Sequence, residues 1–476
     1  MKRVAIIGGG ISGLSAAFHL EKARKAGADL SYPLVESGKR LGGSMHSSRV
    51  AGCLVEAGPD SFLTEKPWAL TLCKELGIDD QIIGSNDSAR KTYIVVKNRL
   101  IAMPDGLMFM VPTKLVPTAL SPLFSWGTKL RMAQELLHPP RPMQDDETVG
   151  ELVERHFGPE VVDRLADPLL SGVYGGDANK LSARAVLPRF VEMEEKYGSL
   201  SRAMLAAHNK MKAMAGKQPA RPLFSSLKDG MQQLVDAVTA RIDPAALRLN
   251  TRVRAVYPEA GRWRVAFEMG SDELFDAVIV ATPANVAGSL LEAVDRDLAE
   301  DLQGITYSSS VTLALGYHMD ELKHLPPGFG FLVPRSEGRR MLACTFVHNK
   351  FPHRAPADKG ILRCFLGGAR DEVVLNLTDD EIVAKAREEL KDIVKLEARP
   401  MFERVYRWRG AMAQYESGHL ARVARIGKRL QDIPGLELAG NAYRGIGVPD
   451  CIREGTDAAN AVVQMLSLAA PSPSLT

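Results

Sequence analysis

The sequence has no long uninterrupted apolar run and almost no excess of charge of one sign. Its 476 residues carry 60 Lys and Arg against 57 Asp and Glu, a formal net charge of +3. A protein that binds nucleic acid is expected to have a larger and clustered basic surplus. A membrane-spanning helix needs about 20 predominantly apolar residues in a row, and no stretch provides them. These absences argue against nucleic acid as a partner and against an integral membrane protein.

Cysteine is also scarce. The five thiols are scattered, no CxxC pair occurs, and no His/Cys cluster has the spacing of a zinc site. We therefore expect reduced cysteines in a cytoplasmic protein, and no metal site. A strand begins almost at the first residue, which predicts that no signal peptide is present. The length predicts two or three domains.

The first motif present, VAIIGGGISGLSAAFHL, joins a buried strand to a helix through glycines. Gly8, Gly10 and Gly13 have the GxGxxG spacing of a dinucleotide-binding turn. There the first glycine allows the bend, the second admits a pyrophosphate and the third lets the helix approach the strand. The next strand, LSYPLVE, ends in Glu36, where an acid binds a ribose hydroxyl. Pro33 conflicts with a central strand because it cannot donate to a ladder.

A second glycine pair favours FAD over NAD. Gly42 and Gly43 follow Arg40 directly behind the acidic strand. FAD continues past the pyrophosphate to a flavin, and the chain must run beside it, whereas an NAD domain needs nothing special there. Arg40 can supply charge toward phosphate, and the glycines permit close backbone contact. Gly58-Pro59 adds another tight turn where polar atoms could meet the cofactor.

The C-terminal stretch GLELAGNAYRGIGVPDCIREGTDAANAVVQML predicts a short strand, a glycine-rich turn and an amphipathic helix. Pro449 and Asp450 suit the first turn of that helix. Its positive end, placed under the flavin pyrimidine, would stabilise negative charge on reduction; the alternative is an ordinary capped surface helix. In the middle, LFDAVIVATPANVA predicts a second buried strand ending at Pro283. A strand and a hairpin precede it, with Val253 between them, so the dinucleotide domain is discontinuous.

Together these motifs resemble the flavin amine oxidase-like superfamily, and more narrowly the protoporphyrinogen/coproporphyrinogen oxidases of haem synthesis. The resemblance covers nearly the whole chain, and SGVYGGDANKLSARAVLPRF and VPDCI are its narrowest signals. It implies an α/β (α+β multidomain) fold. The implied domains are a Rossmann-like FAD-binding domain (1–87, 222–289 and 405–476), a mixed-sheet substrate-binding domain (88–100 and 290–404) and a helical subdomain (101–221).

The resemblance also implies site residues. One non-covalent FAD per chain would contact Gly8, Gly9, Gly10, Ile11, Ser12, Gly13, Glu36, Ser37, Arg40, Gly43, Ser44, Gly58, Pro59, Asp60, Ser61, Val253, Trp408, Asn441, Ile446, Gly447 and Val448. The substrate would lie among Phe329 and Leu332, which sandwich a ring, Phe365 opposite, and the Gly172 carbonyl, which faces the inner nitrogens. Without the resemblance, the apolar residues would be interpreted as core packing.

Two positions depart from the family pattern. Met108 stands where eukaryotic members place an arginine for a substrate propionate, and Ala413 precedes Gln414 where proline is usual. The first change leaves open how the propionates are held. Neither change touches the predicted flavin site.

The implied activity is the six-electron oxidation of a porphyrinogen in haem biosynthesis, with O2 as acceptor and H2O2 as product. Protoporphyrinogen IX and coproporphyrinogen III both stay open as substrates. We assign no general base, because no acid–base dyad is evident and a flavin supplies the redox chemistry. The alternatives are another enzyme of the superfamily (an amine oxidase or a carotene-type desaturase) and a porphyrin-binding protein with a vestigial flavin fold. A homodimer and contact with a downstream haem-pathway enzyme stay open.

Two segments bear on membrane contact. Residues 100–126 carry only two charged side chains, those of Asp105 and Lys114. The prolines of this segment exclude a single membrane-spanning helix. They predict either an apolar channel mouth at a membrane surface or ordinary packing under the helical subdomain. Residues 199–221 hold five basic residues and no acid, which predicts attraction of carboxylates or anionic lipid, or a solvated loop.

Overall fold

A computed structural model describes residues 1–108, 110–141, 146–214 and 222–468. Within these ranges it describes no side chain for Met108, Leu115, residues 211–214 or Leu468. The predicted propionate-side difference at Met108 and the basic residues from 212 to 221 therefore fall outside the described side chains.

The strands are β1 (Lys2–Ile7), β2 (Leu30–Ser31), β3 (Leu34–Val35), β4 (Ser47–Val50), β5 (Cys53–Glu56), β6 (Phe62–Leu63), β7 (Ile82–Gly84), β8 (Thr92–Val96), β9 (Arg99–Ala102), β10 (Leu107–Met108), β11 (Val111–Pro112), β12 (Phe224–Leu227), β13 (Leu247–Arg248), β14 (Val253–Glu259), β15 (Arg262–Phe267), β16 (Glu273–Phe275), β17 (Ala277–Val280), β18 (Tyr307–His318), β19 (Gly330–Leu332), β20 (Met341–Phe346), β21 (Lys359–Gly367), β22 (Phe402–Ala413) and β23 (Leu436–Leu438).

The helices are α1 (Ile11–Lys25), α2 (Pro67–Leu76), α3 (Leu115–Leu120), α4 (Trp126–Glu135), α5 (Val149–Phe157), α6 (Pro159–Val161), α7 (Asp167–Tyr174), α8 (Ala183–Val186), α9 (Pro188–Tyr197), α10 (Leu200–Met214), α11 (Gln232–Thr239), α12 (Ala284–Leu291), α13 (Arg296–Gln303), α14 (Met319–Leu322), α15 (Val347–Lys350), α16 (Asp379–Val394), α17 (His419–Gln431) and α18 (Val448–Leu468).

A parallel sheet in the order β13–β3–β1–β17–β23 forms the first layer, and β2 extends the β3 side. Its strands come from both ends of the chain and from the middle. Val4 and Ile6 of β1 enter one apolar core with α1, α2, α11 and α18, whereas Ala5 and Ile7 enter another with α12, α13 and β14–β16. Because successive strand residues face opposite sides, a parallel strand is apolar where both of its faces are covered, as β1 is from Val4 to Ile7.

Pro33 lies in a break of this sheet. The strand predicted as continuous is divided there into β2 and β3, which both pair with β1. Proline has no N–H to donate, but its carbonyl still accepts a hydrogen bond from the Ile6 N–H at 2.9 Å. The conflict with a central strand is therefore resolved by dividing the strand.

A seven-stranded sheet in the order β22–β18–β21–β20–β19–β8–β9 forms the second layer. All its pairs are antiparallel except β19 with β8. One face packs against α16 in an apolar core. The opposite face turns toward the segment after β5, because Arg363 and Trp408 donate hydrogen bonds to the carbonyls of Gly58 and Ala57. We call the region between this face and α7 the cleft.

The helices between α3 and α10 form the third layer around their own apolar core, which includes Ile94 of β8 and contacts Leu332 of β19. The predicted combination of a Rossmann-like sheet, a mixed sheet and a helical part is confirmed. We propose that the three layers correspond to the three predicted domains. No helix in the described part of the chain is both long enough and apolar enough to cross a membrane.

Candidate cofactor and substrate site

Three glycine-bearing loops meet at the carboxyl end of β1. A Cβ built on Gly13 would overlap the Gly8 carbonyl oxygen, and one on Gly58 would overlap that of Ser44. A Cβ on Gly43 would lie 3.3 Å from the Gly10 Cα. The loops therefore approach one another through their backbones, at distances that side chains would prevent.

Gly10 differs from these glycines because a Cβ there would meet no atom within 4 Å. It is the N-cap of α1, with φ −69° and ψ 177°, so the open space lies at the positive end of that helix. Ile11 and Ser12 follow in its first turn. A dinucleotide pyrophosphate fits this cradle, which offers backbone N–H groups and no obstructing side chain.

The Glu36 carboxylate lies beside the same loop. It accepts hydrogen bonds from the backbone N–H groups of Gly9 at 2.8 Å and Gly38 at 2.6 Å, and the Ser37 hydroxyl lies 3.4 Å away. The segment before β14 borders this position, because the Thr251 N–H donates to the Glu36 carbonyl at 2.9 Å. Val253 lies two residues further on and is 9% exposed. The predicted ribose and adenine contacts are therefore neighbours in space.

Arg40 holds the second glycine loop. Its guanidinium donates to the carbonyls of Leu41 at 3.2 Å and Met45 at 3.1 Å, and also to that of Gly43. Burial lowers the pKa of Arg40, and the charge of Glu36 opposes that shift. In this structure Arg40 thus shapes the loop that carries Gly43 and Ser44, a contribution that the predicted phosphate contact did not include.

The predicted C-terminal helix begins at Val448, where the sequence places it. The Gly447 N–H donates to the Asp450 carboxylate at 3.2 Å. Lys66, which directly precedes α2, forms an ion pair with the same carboxylate at 2.5 Å. A Cβ on Gly455 would overlap the Ser12 carbonyl oxygen, so α18 packs tightly against α1. This packing holds the start of α18 beside α1, and the contacts of Asn441, Ile446, Gly447 and Val448 with the cofactor stay a prediction.

Asp60 joins the predicted cofactor loop to the mixed-sheet layer. Lys350 Nζ contacts its two carboxylate oxygens at 3.1 and 3.0 Å, and the Arg363 guanidinium lies 3.7 Å from it. Arg363 also donates to the Gly58 carbonyl, and Trp408 Nε1 donates to the Ala57 carbonyl at 3.0 Å. Burial alone would raise the pKa of Asp60, but the two cations hold it below its usual range. The Ala57–Ser61 loop is therefore fixed by side chains from the other layer.

We expect replacement of Asp60 by Ala to lower the free energy of unfolding by about 3 kcal/mol, because it leaves Lys350 and Arg363 as unpaired cations in a largely buried place. The folded-state pKa of Asp60 lies below its ordinary 3.8, so the contacts of Asp60 with Lys350 and Arg363 stabilise the fold fully above pH 3.8. Their contribution is lost as the pH falls from 3.8 through the folded-state pKa. Chemical denaturation at several pH values measures both effects. Asp229→Ala is the control, since Asp229 forms an exposed pair with Arg49 and should cost under about 0.5 kcal/mol. Equal losses for the two variants at neutral pH would contradict the prediction.

Two of the predicted substrate side chains, Leu332 and Phe365, share one face of the mixed sheet. Leu332 pairs with Ala343, and Ala343 pairs with Phe365. Phe365 pairs with Thr312 of β18. Ser310, two residues earlier on β18, pairs with Trp408 of β22. Cross-strand partners point to the same side of a sheet, so Leu332, Phe365 and Trp408 face the cleft. Phe329 directly precedes β19 and is 9% exposed, nearly enclosed.

Gly172 of α7 lies across the cleft from this face. A Cβ on Gly172 would meet a single side chain within 4 Å, Leu332 Cδ2 at 3.8 Å. The carbonyls around it are engaged: that of Ser171 by the Gly175 N–H, that of Tyr174 by Gln414 Nε2 at 2.8 Å, and that of Gly175 by the Ala369 N–H. The structure thus places Gly172 beside Leu332, and the substrate contacts of both stay a prediction.

Sequence reasoning missed Lys350, Arg363 and the positioning part played by Gln414. Arg363 lies two residues before Phe365 on β21, with its guanidinium carbon 4.8 Å from the centre of that ring. Because residues two apart on a strand face the same side, Arg363 could have been predicted to lie on the face of Phe365. Lys350 and Gln414 gave no local signal. Ala413, in place of the usual proline, is fully buried beside Gln414.

An amine oxidase is expected to show an aromatic cage beside the flavin, and Trp408 and Tyr415 are the aromatic residues in this region that could form one. Tyr415 is 3% exposed and stacks on His419 with ring centres 4.0 Å apart. Its hydroxyl donates to the Asn441 carbonyl and accepts from the Gly445 N–H, both at 2.8 Å. The ring and the hydroxyl of Tyr415 are therefore held by His419 and by the backbone of Asn441 and Gly445.

The parallel sheet, the glycine cradle and the facing mixed sheet define a flavin-dependent oxidoreductase. The chain belongs to the flavin containing amine oxidoreductase family, whose sequence profile matches residues 11–463. The narrower resemblance to porphyrinogen oxidases rests on full-length relatives. The chain is 33% identical to coproporphyrinogen III oxidase of Bacillus subtilis (strain 168), over 95% of this chain and 96% of that one. It is 32% identical to the enzyme of the same name from Staphylococcus aureus (strain NCTC 8325 / PS 47), over 98% and 100%.

Solved structures agree with the fold. A crystal structure from Exiguobacterium sp. 255-15 superimposes with a TM-score of 0.86 at 30% identity, covering 97% of this chain and 99% of that chain. Cyclohexylamine oxidase from Brevibacterium oxydans IH-35A superimposes with a TM-score of 0.68 at 17% identity, covering 98% and 99%. At that lower identity the likeness shows the fold alone.

Proposed function

We propose that this chain is a porphyrinogen oxidase of haem biosynthesis that carries one non-covalent FAD. The observation that supports this proposal is the similarity of the chain, over nearly the whole length of both chains, to bacterial enzymes named coproporphyrinogen III oxidase. A relative named protoporphyrinogen oxidase 2, from Arabidopsis thaliana, is 27% identical over 98% of this chain. We therefore propose coproporphyrinogen III as the preferred substrate and protoporphyrinogen IX as the second.

The residues of the cleft would bind and orient the substrate. Leu332 and Phe365 offer an apolar face for a macrocycle, and the Gly172 carbonyl would accept hydrogen bonds from pyrrole N–H groups. The fixed Ala57–Ser61 loop would hold the edge of the cofactor site against that face. The bound flavin would supply the two-electron redox chemistry, so the six-electron oxidation would take three turnovers, with O2 as acceptor and H2O2 as product.

Porphyrin fluorescence tests the proposal. Purified protein in air receives freshly reduced coproporphyrinogen III or protoporphyrinogen IX, with enzyme-free autoxidation as the control. We expect red emission to appear faster than in the control, faster with the first substrate, and with H2O2 accumulating at about three per porphyrin. Flavin-containing protein that accelerates neither reaction would overturn the proposal, and amines and polyenes would be tested next.

We also propose that an exposed apolar patch on α3, on α4 and in the turn after α4 rests on an anionic lipid surface. The patch comprises Val116, Leu120, Trp126, Leu130 and Leu137, each more than 60% exposed. Exposed or half-exposed Lys114, Lys129 and Arg131 flank it, and Lys129 Nζ lies 4.4 Å from the centre of the Trp126 ring. Apolar side chains bordered by basic ones suit the interface of an anionic membrane. The neighbouring Leu123 and Phe124 are buried, so ordinary packing accounts for only part of this segment.

Sedimentation with vesicles of phosphatidylcholine and phosphatidylserine tests the patch. We expect the chain to bind, and Trp126→Ala/Leu130→Ala to bind about 10-fold more weakly, because both removed side chains would be buried in the interface. Met269→Ala is the matched control, because Met269 is 86% exposed on a hairpin elsewhere. No binding by the unaltered chain, or equal loss in the control, would contradict the proposal.

A further inference from the structure

The helical layer contains a buried cluster of two imidazoles and a carboxylate away from the cleft. Glu135 ends α4, His138 follows it in the next loop and His156 lies on α5. Their potential ligand atoms all lie within 4.8 Å of one another. Glu135 and His156 are fully buried and His138 is half-buried, which leaves one side of the cluster open to entry. We propose that these three side chains bind a divalent transition metal ion such as Zn2+.

The spacing of the rings matches one shared metal ion. The ring centres of His138 and His156 lie 5.2 Å apart, with their planes tilted by 49°. Two imidazoles bound to one tetrahedral zinc have ring centres about 5 Å apart, given Zn–N bonds of about 2.0–2.1 Å. Glu135 Oε1 lies 3.0 Å from His156 Nδ1, within a few tenths of an ångström of the separation of two ligand atoms on such a metal. The three donors therefore lie close enough that small side-chain rotations would bring them onto one metal ion.

The neighbours of the ligands supply the supporting contacts of a metal site. His156 Nε2, the nitrogen turned away from Glu135, lies 3.2 Å from Glu194 Oε1. A metal-bound histidine commonly donates its other ring N–H to a carboxylate in this way, which fixes the ring. Glu135 Oε2 accepts from the Ser199 hydroxyl at 2.9 Å and the Ser201 N–H at 3.3 Å. Both buried ligands are thus oriented before a metal arrives.

The backbone of the third ligand is also fixed. The His138 carbonyl accepts a hydrogen bond from Arg202 at 2.6 Å. Gly198, with φ +72°, packs so closely on the His138–Pro139 backbone that a Cβ there would overlap it. The loop that carries His138 is therefore anchored to the start of α10. A metal ion would join the end of α4, the C-terminal turn of α5 and this loop.

The charges around the cluster favour a dication. Three carboxylates, those of Glu135, Glu147 and Glu194, lie in one network with one guanidinium, that of Arg155. With both imidazoles neutral, as metal ligation requires, the network has a net charge of −2. A divalent cation neutralises that charge. One carboxylate and two histidines, with a fourth position for water, are a donor set that zinc accepts.

Binding of Zn2+ and Co2+ to the FAD-loaded, tag-free full chain tests the inference, after treatment with a chelator and its removal. We expect one equivalent of Zn2+ by calorimetry, a rise in Tm on adding it, and visible Co2+ absorption bands at wavelengths longer than those of the flavin. His138→Ala is the decisive variant, because that half-buried side chain can be removed without opening the core, and we expect at least about 10-fold weaker binding. His208→Ala is the control, since His208 is exposed on α10 of the same layer.

The outcomes are distinct. Stoichiometric binding that His138→Ala weakens and His208→Ala leaves intact supports the site. No stoichiometric binding by the unaltered chain, or equally tight binding by His138→Ala, overturns it. The proposal does not rest on the porphyrinogen activity, because the readouts are metal binding and Tm.

Discussion

We expect Gly10→Ala to fold normally and to purify without FAD. In the structure a Cβ at this position meets no atom within 4 Å, and φ −69° with ψ 177° is open to alanine. The cost to the apoprotein should be at most about 1 kcal/mol, since alanine is a poorer helix N-cap than glycine. The added methyl group would occupy the space where a pyrophosphate must approach the backbone, so we expect FAD affinity to fall about 100-fold.

The flavin absorbance of the purified protein and a fluorescence titration with FAD measure this effect, and circular dichroism checks the fold. Gly427→Ala is the matched control: a Cβ there also meets no atom within 4 Å, but the residue lies in α17 and outside the cradle. It should keep FAD fully. Undiminished FAD binding by Gly10→Ala would show that the cofactor does not use this loop as we propose.

The second large effect is expected from Gly172→Ala. Alanine favours a helix over glycine by about 1 kcal/mol, and the new methyl group would meet only Leu332, at an ordinary 3.8 Å. The variant should therefore be at least as stable as the unaltered chain and should retain its flavin. The methyl group would, however, lie against Leu332 beside the carbonyl that we propose faces the substrate. We expect porphyrinogen oxidation to fall by at least about 100-fold because the macrocycle is displaced from its reactive position.

Steady-state rates with both porphyrinogens, flavin content and thermal unfolding are measured on the same preparation. Leu332→Ala is the companion variant, because it widens the same cleft, and in combination with Gly172→Ala it should restore part of the activity. Full activity of Gly172→Ala would place the substrate elsewhere. Loss of flavin together with activity would instead mean that the glycine serves the fold.

Much of the cofactor site could be predicted from the sequence because its signals are local. A strand, a GxGxxG turn, a helix and an acid at the end of the next strand occupy residues 2–36, and short-range geometry decides how they fold. The start of α18 was predicted from proline and aspartate in its first turn for the same reason. The division of a strand at Pro33 was foreshadowed by the missing N–H, although the retained carbonyl contact with Ile6 became visible only in the sheet.

The substrate-binding residues were predicted only through the resemblance to a known family, because no local pattern distinguishes a cleft-facing Phe365 from a core residue. Strand register decided that question: on β21, Cys364 enters the apolar core with α16, whereas Phe365 and Arg363 face the other way. The apolar segment 100–126 was likewise ambiguous. The structure buries Phe124 and exposes Trp126, a difference that hydrophobicity alone does not encode.

By itself, the sequence determined that this protein has a parallel dinucleotide-binding sheet, a glycine cradle and a C-terminal helix that begins after a glycine-rich turn. Each depends on a few neighbouring residues with restricted backbone freedom or a regular apolar period. Tertiary structure alone decided that Lys350 and Arg363 hold Asp60, that Gly172 faces Leu332, and that His138 meets His156. These partners are separated by 18 to 303 positions along the chain. Which distant side chains meet depends on how the layers pack, and that packing leaves no mark in the local sequence.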